Sequence, residues 1–195
     1  MAISGSKNIQ RPIGIFGGTF DPVHFGHLRL ALELKQFLGL AEVRLLPCHV
    51  PPHREAPIAT PEQRLLMLKA ALGDQSELTI DERELKRDGF SYMFDTLTSL
   101  RRDLGATPLC LIIGSDAFVG LPEWHRWQEL IELCHIIVMP RPGWKRIEKS
   151  PLNEWMDSRQ AISPEALSHS SAGLIIFNEV TQLDISATKI RDLLK

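Results

Sequence analysis

Apolar residues along this 195-residue chain fall into short continuous runs, and longer stretches rich in strong helix formers separate them. Ile13 and Ile15 in RPIGIF open a short strand that should break at Gly17-Gly18. HLRLALELKQFLGL predicts a helix that halts at Gly39, and EVRLLP predicts a second strand ended by Pro47. Thr60-Pro61-Glu62-Gln63 announces the next helix: Thr60 is the N-cap, Pro61 the first helical residue, and Gln63 completes a capping box. That helix, QRLLMLKAAL, runs to Gly73, and ELTIDERELKR is strand-like at its start. SYMFDTLTSLRRDLG is amphipathic and stops at Gly105.

PLCLIIG is apolar throughout, the pattern of a strand buried on both faces. WHRWQELIELC predicts a further helix, and HIIVMPRPG and GLIIFNEV two further strands. ISATKIRDLLK predicts a closing helix capped by Ser186, while residues 143–171 mix polar, Pro and Ser content and predict no definite element. Strands alternating with helices imply parallel pairing and right-handed crossovers. The fold class expected is therefore α/β, a doubly wound, mainly parallel sheet with helices on both faces. Residues 1–11 read as a polar leader and residues 12–195 as a single domain.

Composition narrows the partners. Hydrophobic residues make up 44% and charged residues 24%, ordinary values for a globular chain, and the formal net charge of -2 gives no electrostatic case for nucleic acid or a membrane surface. The apolar runs are too short to span a bilayer, and MAISGSKNIQRP has no apolar signal segment. Cys48, Cys110 and Cys134 are odd in number and widely spaced, which fits reduced, structural thiols in a cytoplasm.

The candidate chemistry sits in GIFGGTFDPVHFGHL, where the first strand turns into the first helix. In doubly wound folds ligands bind beyond the carboxyl ends of the strands, and this stretch occupies that place. Gly17 and Gly18 should let the backbone turn sharply and approach a ligand, and Gly26 opens the helix where free N–H groups favour a phosphate. His24 and His27 are about one helical turn apart, so both can face one bound group, as hydrogen-bond donors or as cations near neutral pH. Asp21, His24 and His27 also read D-x-x-H-x-x-H, but no further ligand-rich cluster completes a zinc site, although His49, His53 and His125 stay open as ligands. The glycine spacing is not that of a GxGxxG dinucleotide fingerprint.

GGTFDPVHFGH resembles the first signature of the nucleotidyltransferase superfamily with an HxGH motif, and ISATKIR resembles its second, usually written ISSTxIR. LPCHVPPHR, DERELKRDGFSYMFDTL, IIGSDAF, LPEWHRW and VMPRPG are similar to segments of one branch of it, the bacterial nicotinate mononucleotide adenylyltransferases. The resemblance runs over residues 12–195. It implies adenylyl transfer from ATP to nicotinate mononucleotide, with Mg²⁺ accompanying the ATP, no resident metal, no covalent enzyme intermediate, and a homo-oligomer as an open option.

By that resemblance His24, His27 and Arg191 are catalytic, and Phe16, Gly17, Gly18, Thr19, Gly114, Asp116, Ser186, Thr188 and Arg191 bind ATP, with Asp116 on its ribose. His53, Arg54, Met93, Trp124, His125 and Arg141 would hold the mononucleotide: Arg54 as a phosphate clamp, Trp124 as a platform for the pyridine ring, and His125 through its backbone. Met93 stands where the family often has Thr. The alternatives are a sibling enzyme acting on nicotinamide mononucleotide or phosphopantetheine, and a non-catalytic nucleotide-binding or zinc-binding module.

Overall fold

The structure, a computed structural model, describes residues 10–52, 56–141, 144, 152–179 and 185–193. Among them six strands form one parallel sheet: β1 (Ile13–Gly18), β2 (Glu42–Pro47), β3 (Leu78–Ile80), β4 (Leu109–Gly114), β5 (His135–Met139) and β6 (Ile175–Phe177). The strand order is β3-β2-β1-β4-β5-β6, so the chain reverses direction across the sheet between β1 and β4. Ile13 pairs with Glu42 on one side and with Leu109 on the other, which makes β1 the centre of the fold.

Both faces of the sheet are covered, as the apolar runs require. Leu109, Leu111 and Ile113 of β4 point to one face, where they pack with Leu97 and Leu100 of α3 (Met93–Leu104) and Leu130 of α5 (Leu130–Leu133). Cys110 and Ile112 point to the other, against Ala31 and Leu34 of α1 (Phe25–Phe37) and Leu68 of α2 (Pro61–Leu72). A Cβ at Gly14 would stand 3.0 Å from Leu40, Val43 and Ile112 side-chain carbons, so this position lets the second face close on β1. The doubly wound parallel sheet expected from the sequence is the one observed.

The remaining helices are α4 (Ser115–Val119), α6 (Leu152–Asp157) and α7 (Ala187–Leu193). The Thr60 cap forms as expected: its hydroxyl accepts the Gln63 N–H at 3.3 Å, and the Gln63 side chain accepts the Thr60 N–H at 2.9 Å. Two expectations need correction. β1 does not break at Gly17-Gly18; both pair with β2, opposite Leu46 and Pro47. WHRWQELIELC is not one helix either, because Arg126 adopts φ 55°, and only a 3-10 turn at Trp127–Glu129 and the short α5 follow. The Arg126 guanidinium lies 3.6 Å from the centre of the Phe94 ring and its Nε donates to Glu129 Oε1 at 2.7 Å; these contacts outweigh helix propensity. Within 143–171, α6 and a 3-10 turn at Pro164–Ser168 form, and Gln160 bridges to Ile175 beside β6.

Candidate active site

The turn out of β1 comes at Thr19–Phe20, not at the glycines. Phe20 takes φ 49°, a left-handed conformation that opposes a bulky side chain by about 1–2 kcal/mol. Its ring, 1% exposed, stands edge-on to His27 with centroids 5.2 Å apart and edge-on to Phe16 at 5.9 Å. Gly17 and Gly18 keep negative φ; what they supply is clearance. A Cβ on Gly17 would meet Met93 Cε at 3.0 Å, and one on Gly18 would meet the Phe20 ring at 3.2 Å. Asp21-Pro22 is a cis peptide, after which His24 caps α1 in an extended conformation.

His24 and His27 stack with ring centroids 3.8 Å apart. That stacking depends on Gly26, whose Cβ would lie 2.9 Å from His24 Nδ1. The His24 backbone N–H donates to His27 Nδ1 at 3.3 Å. An accepting Nδ1 leaves the proton of a neutral imidazole on Nε2, so His27 keeps one donor for a ligand. Burial, and then the neighbouring His24, push the His27 imidazole down to about 3, and burial lowers His24 as well. Burial thus favours a neutral His27 donor at physiological pH, the first of the two roles expected of it.

The second signature closes on the first. Ser186 Oγ accepts the Lys189 N–H at 3.2 Å and so caps α7 as expected. Arg191 donates from Nη1 to the Asp21 carbonyl and from Nη2 to Thr188 Oγ1 at 3.2 Å. HFGH and ISATKIR, at opposite ends of the sequence, thus share one turn. On its outer side a cleft of about 570 Å³, lined mainly by Val23, Phe25, Leu28, Ile185 and Ile190, runs between α1 and α7. The Asp21 carboxylate accepts the N–H groups of Ile58 at 2.7 Å and Ala59 at 3.3 Å, which ties the segment before α2 to the same turn.

Across β4 lies a second group of residues. Nothing within 4 Å would meet a Cβ at Gly114, so the backbone there faces open space. Asp116, in the first turn of α4, forms a 2.7 Å ion pair with Arg141 at the end of β5, and Ser115 Oγ accepts the Arg141 N–H at 3.2 Å. Met93 begins α3, whose N-cap Tyr92 closes the first turn with no side-chain hydrogen bond. The ring beside that open helix end is Tyr92, tilted against His125 at 4.7 Å, with Phe94 edge-on to His125 at 6.3 Å. Trp124 is half-buried against the first core face, and Trp127 packs there too, edge-on to Trp155 at 5.2 Å. His53 and Arg54 lie outside the described residues.

Three residues went unnoticed in the sequence. Tyr92 had the apolar-to-aromatic neighbourhood of a helix start and nothing to mark it as a surface ring. Glu84 is 2% exposed, accepts the Thr96 hydroxyl at 2.7 Å, and anchors the loop that carries Tyr92; burial pushes its carboxyl up. Arg64, inside α2, is fully buried and donates to the carbonyls of Thr19 and Cys48, both at 2.7 Å. The only sequence signal for Arg64 was an arginine on the apolar face of a helix.

Residues 15–193 match the cytidylyltransferase-like family model. A protein of Methylococcus capsulatus named as a probable nicotinate-nucleotide adenylyltransferase is 52% identical over 184 residues, covering 94% of this chain and 88% of the relative. One of Pseudomonas putida with the same name is 50% identical over 185 residues, covering 94% and 84%. Among solved structures, Plasmodium falciparum nicotinic acid mononucleotide adenylyltransferase complexed with NaAD superposes with a TM-score of 0.69 at 15% identity, covering 95% of this chain and 84% of that one. The same enzyme complexed with APC gives a TM-score of 0.67 at 16% identity and the same coverage, and both establish likeness of fold. With half of its residues shared with these relatives over nearly its whole length, the chain belongs to the nicotinate-nucleotide adenylyltransferase family.

Proposed function

We propose that this protein transfers the adenylyl group of ATP to nicotinate mononucleotide, releasing pyrophosphate and forming deamido-NAD. The observation that carries the reading is the meeting of His24, His27 and Arg191 on one turn at the carboxyl end of the central strand. The mononucleotide's 5′-phosphate is largely ionised at neutral pH, its second pKa being roughly 6, so it attacks the α-phosphorus without a protein base. The bond from the α-phosphorus to the bridging oxygen breaks, and pyrophosphate leaves with that electron pair. The protein contributes alignment and donors: His27 Nε2–H toward the charge growing on the α-phosphate, and Arg191 with the α7 turn of Ser186 and Thr188 toward the leaving phosphates.

ATP arrives with Mg²⁺ as one substrate. The nearby carboxylates are already engaged, Asp21 with two backbone N–H groups and Asp116 with Arg141, which suits an ion held by phosphates and water. In this reading Phe16, Gly17, Gly18, Thr19 and Gly114 line the nucleotide, and Asp116 exchanges Arg141 for a ribose hydroxyl. Arg141 then turns to the mononucleotide, joined by His53 and Arg54. The pyridine ring lies among Trp124, His125 and Tyr92, and its carboxylate meets the open first turn at Met93. There the contact is a backbone N–H, which makes Met equivalent to Thr. No helix among the described residues is long and apolar enough to cross a membrane. Cys48, Cys110 and Cys134 are buried thiols rather than disulfides, which supports the cytoplasm as the compartment.

The deciding experiment is pyrophosphate release from ATP and Mg²⁺ with nicotinate mononucleotide or its amide. The expected result is a preference for the acid of about tenfold or more in kcat/KM. Equal rates would remove the carboxylate from the α3 turn, and no release with either would overturn the reading.

A further inference from the structure

Arg64 breaks a strong rule of protein interiors. It is 0% exposed, yet among the described residues no carboxylate lies within ion-pair distance of it. A buried charge is normally paired, because taking it out of water without a partner is among the largest penalties a fold can carry. Here two carbonyls accept from Nη1 and Nη2 at 2.7 Å each, and the buried Nε finds no acceptor among the described residues. Among the described residues its hydrogen-bond partners are carbonyl dipoles, and Glu62 feels its charge only through space, so the guanidinium retains a positive field around it.

The carbonyls it holds are those that shape the candidate site. Thr19 C=O belongs to the peptide preceding Phe20, so its direction fixes the plane from which Phe20 takes φ 49°. Phe20 in turn presses its ring edge-on to His27, 5.2 Å away. Cys48 follows β2, and its own N–H donates to the Gly18 carbonyl at 3.0 Å, which makes the ends of β1 and β2 one unit under the guanidinium. Rotation of either peptide would cost Arg64 a charge-assisted hydrogen bond that no water could replace.

We propose that Arg64 is a positioning residue for the phosphate site: it locks the Thr19–Phe20 peptide that sets His27, and its charge, in no ion pair among the described residues, favours polyanionic ligands on that turn. This inference rests on the adenylyl-transfer reading only for the identity of the anion. A bidentate hold on two carbonyls explains why α2 presents arginine here, since lysine offers a single point charge without the planar fork.

Calorimetric binding of ATP, AMP and adenosine to the full chain tests it, with Arg64→Lys, Arg64→Gln and Arg64→Met compared with the parent. Loss of the charge in the Gln and Met variants should weaken ATP about tenfold or more, AMP less, and adenosine within about twofold. Arg64→Lys should bind ATP within about threefold of the parent but turn over more slowly, because the turn is no longer held at both carbonyls. Equal losses for ATP and adenosine, or undiminished ATP binding in Arg64→Gln, would overturn the proposal. Should the Met variant fail to fold, the Lys–Gln pair still separates charge from shape. Turnover of the parent with the mononucleotide is scored apart, so a silent parent that binds ATP strongly would refute the enzyme reading and leave the Arg64 comparison intact.

Discussion

His27 is where burial changes the chemistry most. The ring lies between Phe20 and His24, and its proton affinity falls from an ordinary 6.5 to about 3. Between those values the unfolded chain binds a proton that the folded chain refuses. Stability from this group is therefore complete above pH 6.5 and is lost as pH falls toward 3, at about 1.4 kcal/mol per pH unit. Urea unfolding of His27→Asn across mildly acidic pH should show a flatter acid loss than the parent. The same variant should lose about 100-fold or more in kcat, the usual effect of deleting one preorganised donor. An unchanged slope would mean that the parent's imidazole is not held neutral by the fold.

Elements whose limits are set by local chemistry were legible in the sequence. The Thr60–Gln63 capping box, the Gly73 and Gly105 stops, and the Ser186 cap all form where their residue types predict. Thr60→Ala removes one cap acceptor and should lower stability by about 1 kcal/mol, read as a shift in the urea midpoint with the slope unchanged. A smaller change in apparent stability than about 0.3 kcal/mol would show that Gln63 and Pro61 suffice. What misled were elements decided by distant contacts. The 124–134 helix yields to the contact of Arg126 with the Phe94 ring, a partner that no local window contains. Glycines at 17 and 18 suggested a bend, yet they serve neighbours from α3 and the following loop. Candidate site residues with a motif, His24, His27 and Arg191, stand out in the sequence; Arg64 and Tyr92 do not, because their significance lies in what folding places beside them.

Across the whole molecule, stability and the candidate chemistry are supported by different parts. Two apolar clusters on the faces of the sheet contain the buried mass, and α7 contributes no buried residue to either. Its reach into the site is through Arg191 and the Ser186–Thr188 turn. A chain shortened to end before Ala187 should melt within about 5 °C of the parent while losing all measurable pyrophosphate release. A collapse of the melting temperature would show that α7 closes the apolar cleft beside α1 as a structural necessity, and retained turnover would remove Arg191 from the machinery.

The Arg191–Asp21 bond joins positions 170 residues apart in the sequence. On a ribosome adding 5–20 residues per second, the second partner follows the first by roughly ten to thirty seconds. Within that interval the residues of β2 and β4 are added, so the β1 turn can fold against them before Arg191 has been made. The turn after β1 is therefore held first by its own sheet and only later by Arg191, so folding of the strand ends precedes closure of the candidate site.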